Sequence, residues 1–138
     1  TISRGQRERV AARAGFRCEY CLLHQDHAVK KHEPDHVIPK KHGGQDTDEN
    51  LVWACFQCNR HKGSEVGAVD VESGQLVRLF NPRQQNWADH FVLEGVKIVP
   101  LTGTGRVTEL VLQFNRPERL TMREVLIRAA LYPGNRAA

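Results

Sequence analysis

The sequence contains the stretch Cys18-Glu-Tyr-Cys21, followed by Glu33-Pro-Asp-His-Val-Ile-Pro39 and then by Cys55-Phe-Gln-Cys58. Two cysteine pairs, each with a two-residue gap, have the spacing of a tetrahedral four-cysteine zinc site. Such a site pins two distant segments together and leaves the residues between them as a fixed hairpin. We therefore predict that the four cysteines hold a structural zinc ion and that the acidic, histidine-bearing loop carries the chemistry.

Other states of the four cysteines are open on sequence grounds. They could be reduced core thiols, or they could form two disulfides. His24 and His27 continue the spacing of the first pair, but a site that used them would leave Cys55 and Cys58 without a role. No charged-then-apolar leader is visible, so we expect an intracellular, cytoplasmic protein. In that reducing compartment, paired cysteines hold metal more often than they form disulfides.

Length and composition predict one domain spanning residues 1–138. The chain has 138 residues, of which 40% are apolar, and no apolar run approaches the roughly 18 residues of a membrane helix. We therefore expect a soluble globular protein with no membrane partner.

The basic residues are concentrated near the start of the chain. The sequence has 20 basic and 16 acidic residues, and Glu8 is the lone acidic residue beside the arginines of the first seventeen positions. This pattern fits a polyanionic partner, because phosphate contacts supply most non-specific affinity for nucleic acid. A solvated helix face is the alternative. We assign Arg4, Arg7 and Arg13 as candidate DNA contacts.

Residues 3–14 predict a short helix, because Ser3 and Gln6 form a capping-box pattern and Gly15 can end it. Residues 16–63, hereafter the cysteine-bracketed segment, have few periodic apolar positions. Metal would therefore have to supply much of their folding energy.

Residues 64–138, hereafter the extension, predict a structural β-hairpin followed by a helix. Apolar patterns predict strands over Leu76–Phe80, Val96–Leu101 and Val107–Phe114, with Thr102–Gly105 as the hairpin connection. The pattern Thr121-x-x-Glu124 predicts the start of a helix with Met122, Val125, Leu126 and Ala129 on one side, stopped at Pro133-Gly134. The whole chain is thus predicted to be α+β.

Further motifs stand between and beside the cysteines. They are Arg17-Cys-Glu-Tyr-Cys21, Asp35-His-Val-Ile-Pro39, Gly43-Gly44, Asn50-Leu51 and Ala54-Cys-x2-Cys-Asn-x2-Lys-Gly63. In this order they resemble the HNH endonucleases, the ββα-metal nucleases, in the branch that contains a cysteine quartet. The resemblance covers residues 16–63. Leu79-Phe-Asn-Pro-Arg83, Trp87-x2-His90-Phe91 and Thr104-Gly-Arg106 also resemble the C-terminal extension of many small bacterial members.

The resemblance implies a role for each matching residue. His36 corresponds to the general base that takes a proton from the attacking water, and Asp35 to a ligand of the catalytic divalent metal. Asn50 corresponds to the asparagine that ties the hairpin loop together and so orients His36. Asn59 stands where the family name has histidine, which makes the chain an HNN variant. Its oxygen ligands favour Mg²⁺ or Mn²⁺ as the catalytic metal.

The implied function is a metal-dependent DNA endonuclease, bacterial or phage-encoded, that nicks or cuts double strands. The alternative is a non-catalytic, zinc-stapled module that binds nucleic acid. Lys62 lies three residues after Asn59, and we predict that it reaches the same phosphate. Lys40, Lys41 and His42, before Gly43-Gly44, are further candidate DNA contacts.

Overall fold

A computed structural model describes residues 1–133. Its helices are α1 (Arg4–Arg13), α2 (Phe56–Lys62), α3 (Trp87–His90), α4 (Gly103–Leu112) and α5 (Pro117–Arg128). Its strands are β1 (Glu33–His36), β2 (Leu51–Ala54), β3 (Gly67–Asp70), β4 (Gln75–Arg78), β5 (Phe91–Glu94) and β6 (Lys97–Pro100). The strands form three antiparallel hairpins, β1–β2, β3–β4 and β5–β6. The predicted α+β class is confirmed.

The cysteine-bracketed segment is built from the β1–β2 hairpin and α2. In the hairpin, Asp35 faces Val52 and His36 faces Leu51 across the strands, and every residue of β2 is buried. Cys55 caps the N-terminus of α2, because its sulfur accepts a hydrogen bond from the backbone N–H of Cys58. The cysteine pair therefore caps the helix as well as bringing its two sulfurs to the cluster.

Helix α1 packs on the outer side of this hairpin. Val10 and Ala11 are buried against Leu51 and Trp53. The Ser3 hydroxyl accepts a hydrogen bond from the Gln6 backbone N–H at 3.1 Å, as the capping pattern predicts. In a capping box the Gln6 side chain would bond the Ser3 backbone N–H; here it donates to the Asp46 carbonyl oxygen at 2.6 Å. The helix is thereby tied to the loop between β1 and β2.

Aromatic side chains form the centre of the extension. The rings of Phe80 and Phe91 lie 5.5 Å apart between centroids, and those of Phe91 and Phe114 lie 5.6 Å apart, both edge to face. These side chains are continuous with the buried cysteines in a single cluster. The extension therefore packs directly against the cysteine-bracketed segment.

The strand predicted over Val107–Phe114 is wrong, because this stretch lies mostly in helix α4. Thr102–Gly105 is not a hairpin connection: the Thr102 hydroxyl caps α4 by accepting from the Gly105 N–H at 3.0 Å. Val107 and Leu112 are buried, whereas Leu110 is 61% exposed, so the alternating face does not exist. The strand that pairs with Lys97–Pro100 is Phe91–Glu94.

Helix α5 also differs from its prediction. It begins at Pro117, whose fixed φ and missing N–H suit a first helical position, and not at Thr121. Its buried face carries Arg119, Arg123 and Leu126, whereas Val125 is 59% exposed. The helix ends at Arg128, and the predicted stop at Gly134 lies outside the described residues.

The strand predicted over Leu76–Phe80 is partly right, since β4 covers Gln75–Arg78 and pairs with β3. None of the helices in residues 1–133 combines the length and apolar character that a bilayer crossing requires.

Candidate functional site

The four cysteines come together as the sequence predicts. Their sulfur atoms all lie within 4.8 Å of one another, and all four residues are buried. The cysteines are not joined by disulfides. Within residues 1–133 no histidine joins this group; His24 instead accepts a hydrogen bond from the Asp26 backbone N–H at 3.0 Å. The disulfide and histidine-sharing alternatives are thereby excluded in the structure.

The chemistry of the cluster fits a zinc ion. Four sulfur ligands at this mutual distance suit a tetrahedral thiolate site, which zinc occupies in structural roles. Burial raises the pKa of the Cys18 and Cys58 thiols, so a bound cation would have to displace their protons. Arg119 donates a hydrogen bond to the Cys58 sulfur at 3.1 Å. A buried guanidinium in this position offsets part of the negative charge that four thiolates would carry.

Asp35 is held in a buried polar network beside the cluster. Its Oδ2 atom accepts a hydrogen bond from the Tyr20 hydroxyl at 3.0 Å and lies 3.1 Å from the Lys62 ammonium. Burial raises the pKa of the Asp35 carboxyl, and the contacts with Lys62 and Tyr20 oppose that rise. Because Tyr20 stands between Cys18 and Cys21, the cysteine cluster fixes one of the groups that orient this carboxylate.

The predicted contact of Lys62 with a DNA phosphate is not supported by its placement. Lys62 is only 2% exposed, and its ammonium also donates to the His36 carbonyl oxygen at 2.8 Å. A buried ammonium paired with a carboxylate has no free surface to offer a phosphate. In the structure Lys62 is the internal counter-charge of Asp35.

His36 ends β1 with its side chain directed towards the loop that follows. Its Nε2 atom lies 2.7 Å from Oδ1 of Asp46, and the two side chains are 22% and 17% exposed. Lys40 places its ammonium 3.1 Å from the other oxygen of the same carboxylate. A cation at this distance favours the ionised form of the Asp46 carboxyl. Asp46 is therefore an anion beside His36.

Asn50 closes the loop between the two strands. Its Oδ1 accepts from the Ile38 N–H at 2.9 Å, and its Nδ2 donates to the carbonyl oxygens of Ile38 and Gln45, both at 2.9 Å. Gly44 passes so close that a Cβ atom there would lie 1.6 Å from the Ile38 carbonyl oxygen. These are the loop-tying contacts that the resemblance implies for Asn50, and its effect on His36 stays a prediction.

A cleft of about 280 Å³ is lined by residues of β1, of the loop that follows it and of α2 with the residue after it. The residues that line it are Pro34, Asp35, His36, Pro39, Lys40, Asn59 and Gly63. Asn59 enters this cleft from α2, directly after Cys58. The cleft thus brings together one imidazole and two oxygen-bearing side chains, and such oxygens suit a hard divalent cation.

The remaining predicted DNA contacts fall into two groups. Lys40, Lys41 and His42 form an exposed turn at the rim of the cleft. Arg7 and Arg13 instead serve the fold: Arg7 pairs with Glu33, and Arg13 donates to the backbone oxygens of Asp48 and Leu51. Arg4 pairs with Glu8 in an exposed contact on α1. Contact of these six residues with DNA stays a prediction.

Sequence reasoning missed Asp46, Arg119 and the polar role of Tyr20. Tyr20 could have been noticed, because it lies inside the first cysteine pair. Asp46 follows Gly43-Gly44 closely, but its partner His36 lies ten residues away across a loop. Arg119 is 61 residues from Cys58, and nothing in the local pattern of α5 marks it as a partner of the cluster.

Comparison with known families agrees with this geometry. The family model for HNH endonuclease matches residues 18–65, which include the cysteine quartet, both strands of the hairpin and α2. No curated protein and no solved structure matches the chain significantly. The resemblance is confirmed: residues 18–65 match the HNH endonuclease domain, and the four cysteines within them are positioned to form a metal site.

Proposed function

We propose that this protein is a metal-dependent DNA endonuclease in which His36 acts as the general base. The observation that carries the proposal is the cleft shared by Asp35, His36 and Asn59, which lies inside the HNH match. A base, and a carboxylate and an amide oxygen that can hold a divalent cation, are groups that metal-assisted hydrolysis of a phosphodiester uses, and all three line this one cleft.

His36 takes the proton from the attacking water in this proposal. Imidazole accepts protons near neutral pH, and a positioned general base contributes about 10²–10⁴-fold to rate. Its position follows from the β1–β2 register, because His36 is the last paired residue before the loop. The water and the scissile phosphate then bind on the cleft side of the imidazole.

Asp35 and Asn59 would hold a divalent cation, Mg²⁺ or Mn²⁺, in the same cleft. The bound cation would supply neutralisation of charge at the phosphate and the leaving oxygen. Tyr20 and Lys62 both contact Oδ2 of Asp35, so these two groups fix the carboxylate. The cysteine-held zinc has a structural role in this proposal.

DNA is the proposed substrate and Lys40, Lys41 and His42 its nearest cationic contacts. They form an exposed turn, and Lys40 also lines the cleft. Cations at the rim of an active-site cleft attract phosphates without reading sequence.

The test compares wild-type protein with His36→Ala in a plasmid-nicking assay, with added Mg²⁺, added Mn²⁺ or a chelator. We expect His36→Ala to lose about 10²-fold or more in cleavage rate, while DNA affinity and zinc content stay unchanged. His27→Ala is the matched control, because His27 lies outside the cleft. Asp35→Ala and Asn59→Ala should lose cleavage and regain part of it at higher metal concentration.

Two results contradict the proposal. One is a His36→Ala variant that nicks plasmid as fast as wild type. The other is wild-type protein that binds DNA and cuts nothing with either metal, which would favour the non-catalytic binding module.

A further inference from the structure

We infer that Asp46 is the positioning residue that sets the tautomer and orientation of His36. The inference rests on the proposed function, in which His36 is the base, and adds a residue that neither the resemblance nor the family match assigns. Asp46 itself touches no reacting atom in this inference. It acts on the reaction through the imidazole.

The contact between the two side chains determines which ring nitrogen carries the proton. An ionised carboxylate can only accept hydrogen bonds, so the imidazole nitrogen 2.7 Å from Asp46 Oδ1 must donate. In the neutral imidazole, Nε2 therefore bears the hydrogen and Nδ1 bears the free lone pair. The structure thus assigns Nδ1 as the atom that receives the proton from water.

Several contacts hold the Asp46 carboxylate in place. The Lys40 ammonium lies 3.1 Å from Oδ2, which leaves Oδ1 to His36. The Gln6 side chain fixes the Asp46 backbone by donating to its carbonyl oxygen at 2.6 Å. The carboxylate is therefore constrained from both its side chain and its backbone.

Asn50 reaches His36 through this residue. Asn50 donates to the carbonyl oxygen of Gln45, the residue immediately before Asp46, and binds Ile38 on the opposite arm of the loop. Gly44 completes the path, because no larger residue could pass the Ile38 carbonyl oxygen without displacing it. The loop clamp sets the place of Asp46, and Asp46 sets the place of the ring.

The first test is the kinetics of Asp46→Asn. An asparagine can present either an amide N–H or a carbonyl to His36, so it no longer enforces one tautomer. We expect kcat for nicking to fall, by up to the roughly 10²–10⁴-fold that a positioned general base contributes, with KM for DNA and zinc content unchanged. Glu49→Gln is the matched control: Glu49 lies on the same loop and is exposed, and the variant should keep the wild-type kcat.

The second test reads the tautomer directly. Long-range ¹H–¹⁵N correlation spectra of the wild-type protein, recorded about two units above the ordinary imidazole pKa of about 6.5, distinguish the protonated from the bare ring nitrogen. The His36 signals are those lost in His36→Ala. We expect hydrogen on Nε2 in the wild type and in Glu49→Gln, and a shift towards Nδ1–H in Asp46→Asn.

The two tests separate the outcomes. Hydrogen on Nδ1 of His36 in the wild type, or an unchanged kcat in Asp46→Asn, overturns the inference while leaving the nuclease proposal standing. If Asp46→Asn does not fold, the His36 tautomer of the wild-type protein still tests the inference. In addition, Asp46→Glu, which keeps a carboxylate, should retain more nicking activity than Asp46→Ala. Wild-type protein that cuts nothing overturns the proposed function. The spectra report the pairing of Asp46 with His36 independently of that result.

Discussion

The cysteine-bracketed segment and the extension are stabilised by different interactions. The first gathers four cysteines and a buried ion pair, Asp35 with Lys62, around a two-stranded hairpin. The second buries the aromatic rings of Phe80, Phe91 and Phe114. The comparison teaches that a cysteine cluster and a buried ion pair can occupy the interior of one region where aromatic rings fill the interior of the other.

The two regions are nevertheless joined by hydrogen bonds from the extension to the cysteine-bracketed segment. Arg119 donates to the Cys58 sulfur at 3.1 Å, and the Tyr132 hydroxyl donates to the Cys21 carbonyl oxygen at 2.6 Å. The Trp87 ring N–H donates to the Tyr20 carbonyl oxygen at 2.8 Å. The extension thus contacts the cysteine cluster and the residues beside it.

The largest effect is expected from breaking the metal site with Cys55→Ala. This change removes one sulfur ligand and the cap of α2 together, and structural zinc in small domains contributes about 10–16 kcal/mol of apparent binding free energy. We expect less than one zinc per chain by elemental analysis and loss of hydrogen-exchange protection over residues 16–63. A variant that retains stoichiometric zinc and wild-type protection would contradict the assignment of Cys55.

The next effect is expected from opening the aromatic centre of the extension with Phe91→Ala. Phe91 is 1% exposed and contacts two other phenylalanine rings, so its removal should cost about 3–5 kcal/mol of unfolding free energy. Because it is not a ligand, zinc content should stay at one per chain. Denaturant unfolding with parallel metal analysis measures both. Loss of zinc from the folded variant would show that the two regions are less distinct than we describe.

A smaller effect is expected at the boundary, from Arg119→Ala. The change leaves the Cys58 sulfur and the Leu112 carbonyl oxygen without their donor, at a cost of about 1–3 kcal/mol. Zinc should also leave faster when a chromogenic chelator is added. Arg116→Ala is the control, because Arg116 is exposed at the start of the same helix. If zinc leaves Arg119→Ala and Arg116→Ala at equal rates, Arg119 does not help to retain the metal.

The smallest effects are expected on α1, where Arg13→Ala and Arg4→Ala should differ. Arg13 donates to backbone oxygens of the hairpin, so its loss should cost about 1 kcal/mol. Arg4 makes an exposed ion pair, so its loss should change stability by less than about 0.5 kcal/mol. If Arg4 binds phosphate, Arg4→Ala lowers the salt slope of DNA binding by about one. If Arg13→Ala alone lowered the salt slope of DNA binding, Arg13 would be the phosphate contact and Arg4 would not.

The sequence predicted those parts of the molecule that short-range patterns determine. The cysteine quartet, Ser3 as the cap of α1, and the β6 strand all follow from spacing or from residue preferences over a few positions. The α4 stretch failed because Leu110, Leu112 and Phe114 satisfy a two-residue period, while Val107, Val111 and Phe114 satisfy the helical one. Packing of α4 against β3, β6 and α2, which involves distant residues, decides between the two periods.

The rest of the candidate site depended on contacts distant in sequence. Lys62 looks like a surface cation in the sequence, yet it is buried because Asp35 lies within 3.1 Å. Asp46 has no special spacing, and its pairing with His36 exists because the Asn50 clamp folds the loop back. Buried arginines on α5 contradict the usual rule that helices bury their apolar residues.

The hydrogen bond from Arg119 to Cys58 has a consequence for biosynthesis. Its two ends are 61 residues apart, and ribosomes add about 5–20 residues per second, so about 3–12 s pass between the emergence of the last cysteine and that of its arginine. During that interval the nascent chain presents all four thiols without the guanidinium. A metal ion that bound during translation would therefore meet the four cysteines before Arg119 is present. The hydrogen bond from Arg119 to Cys58 would form only after α5 has been translated.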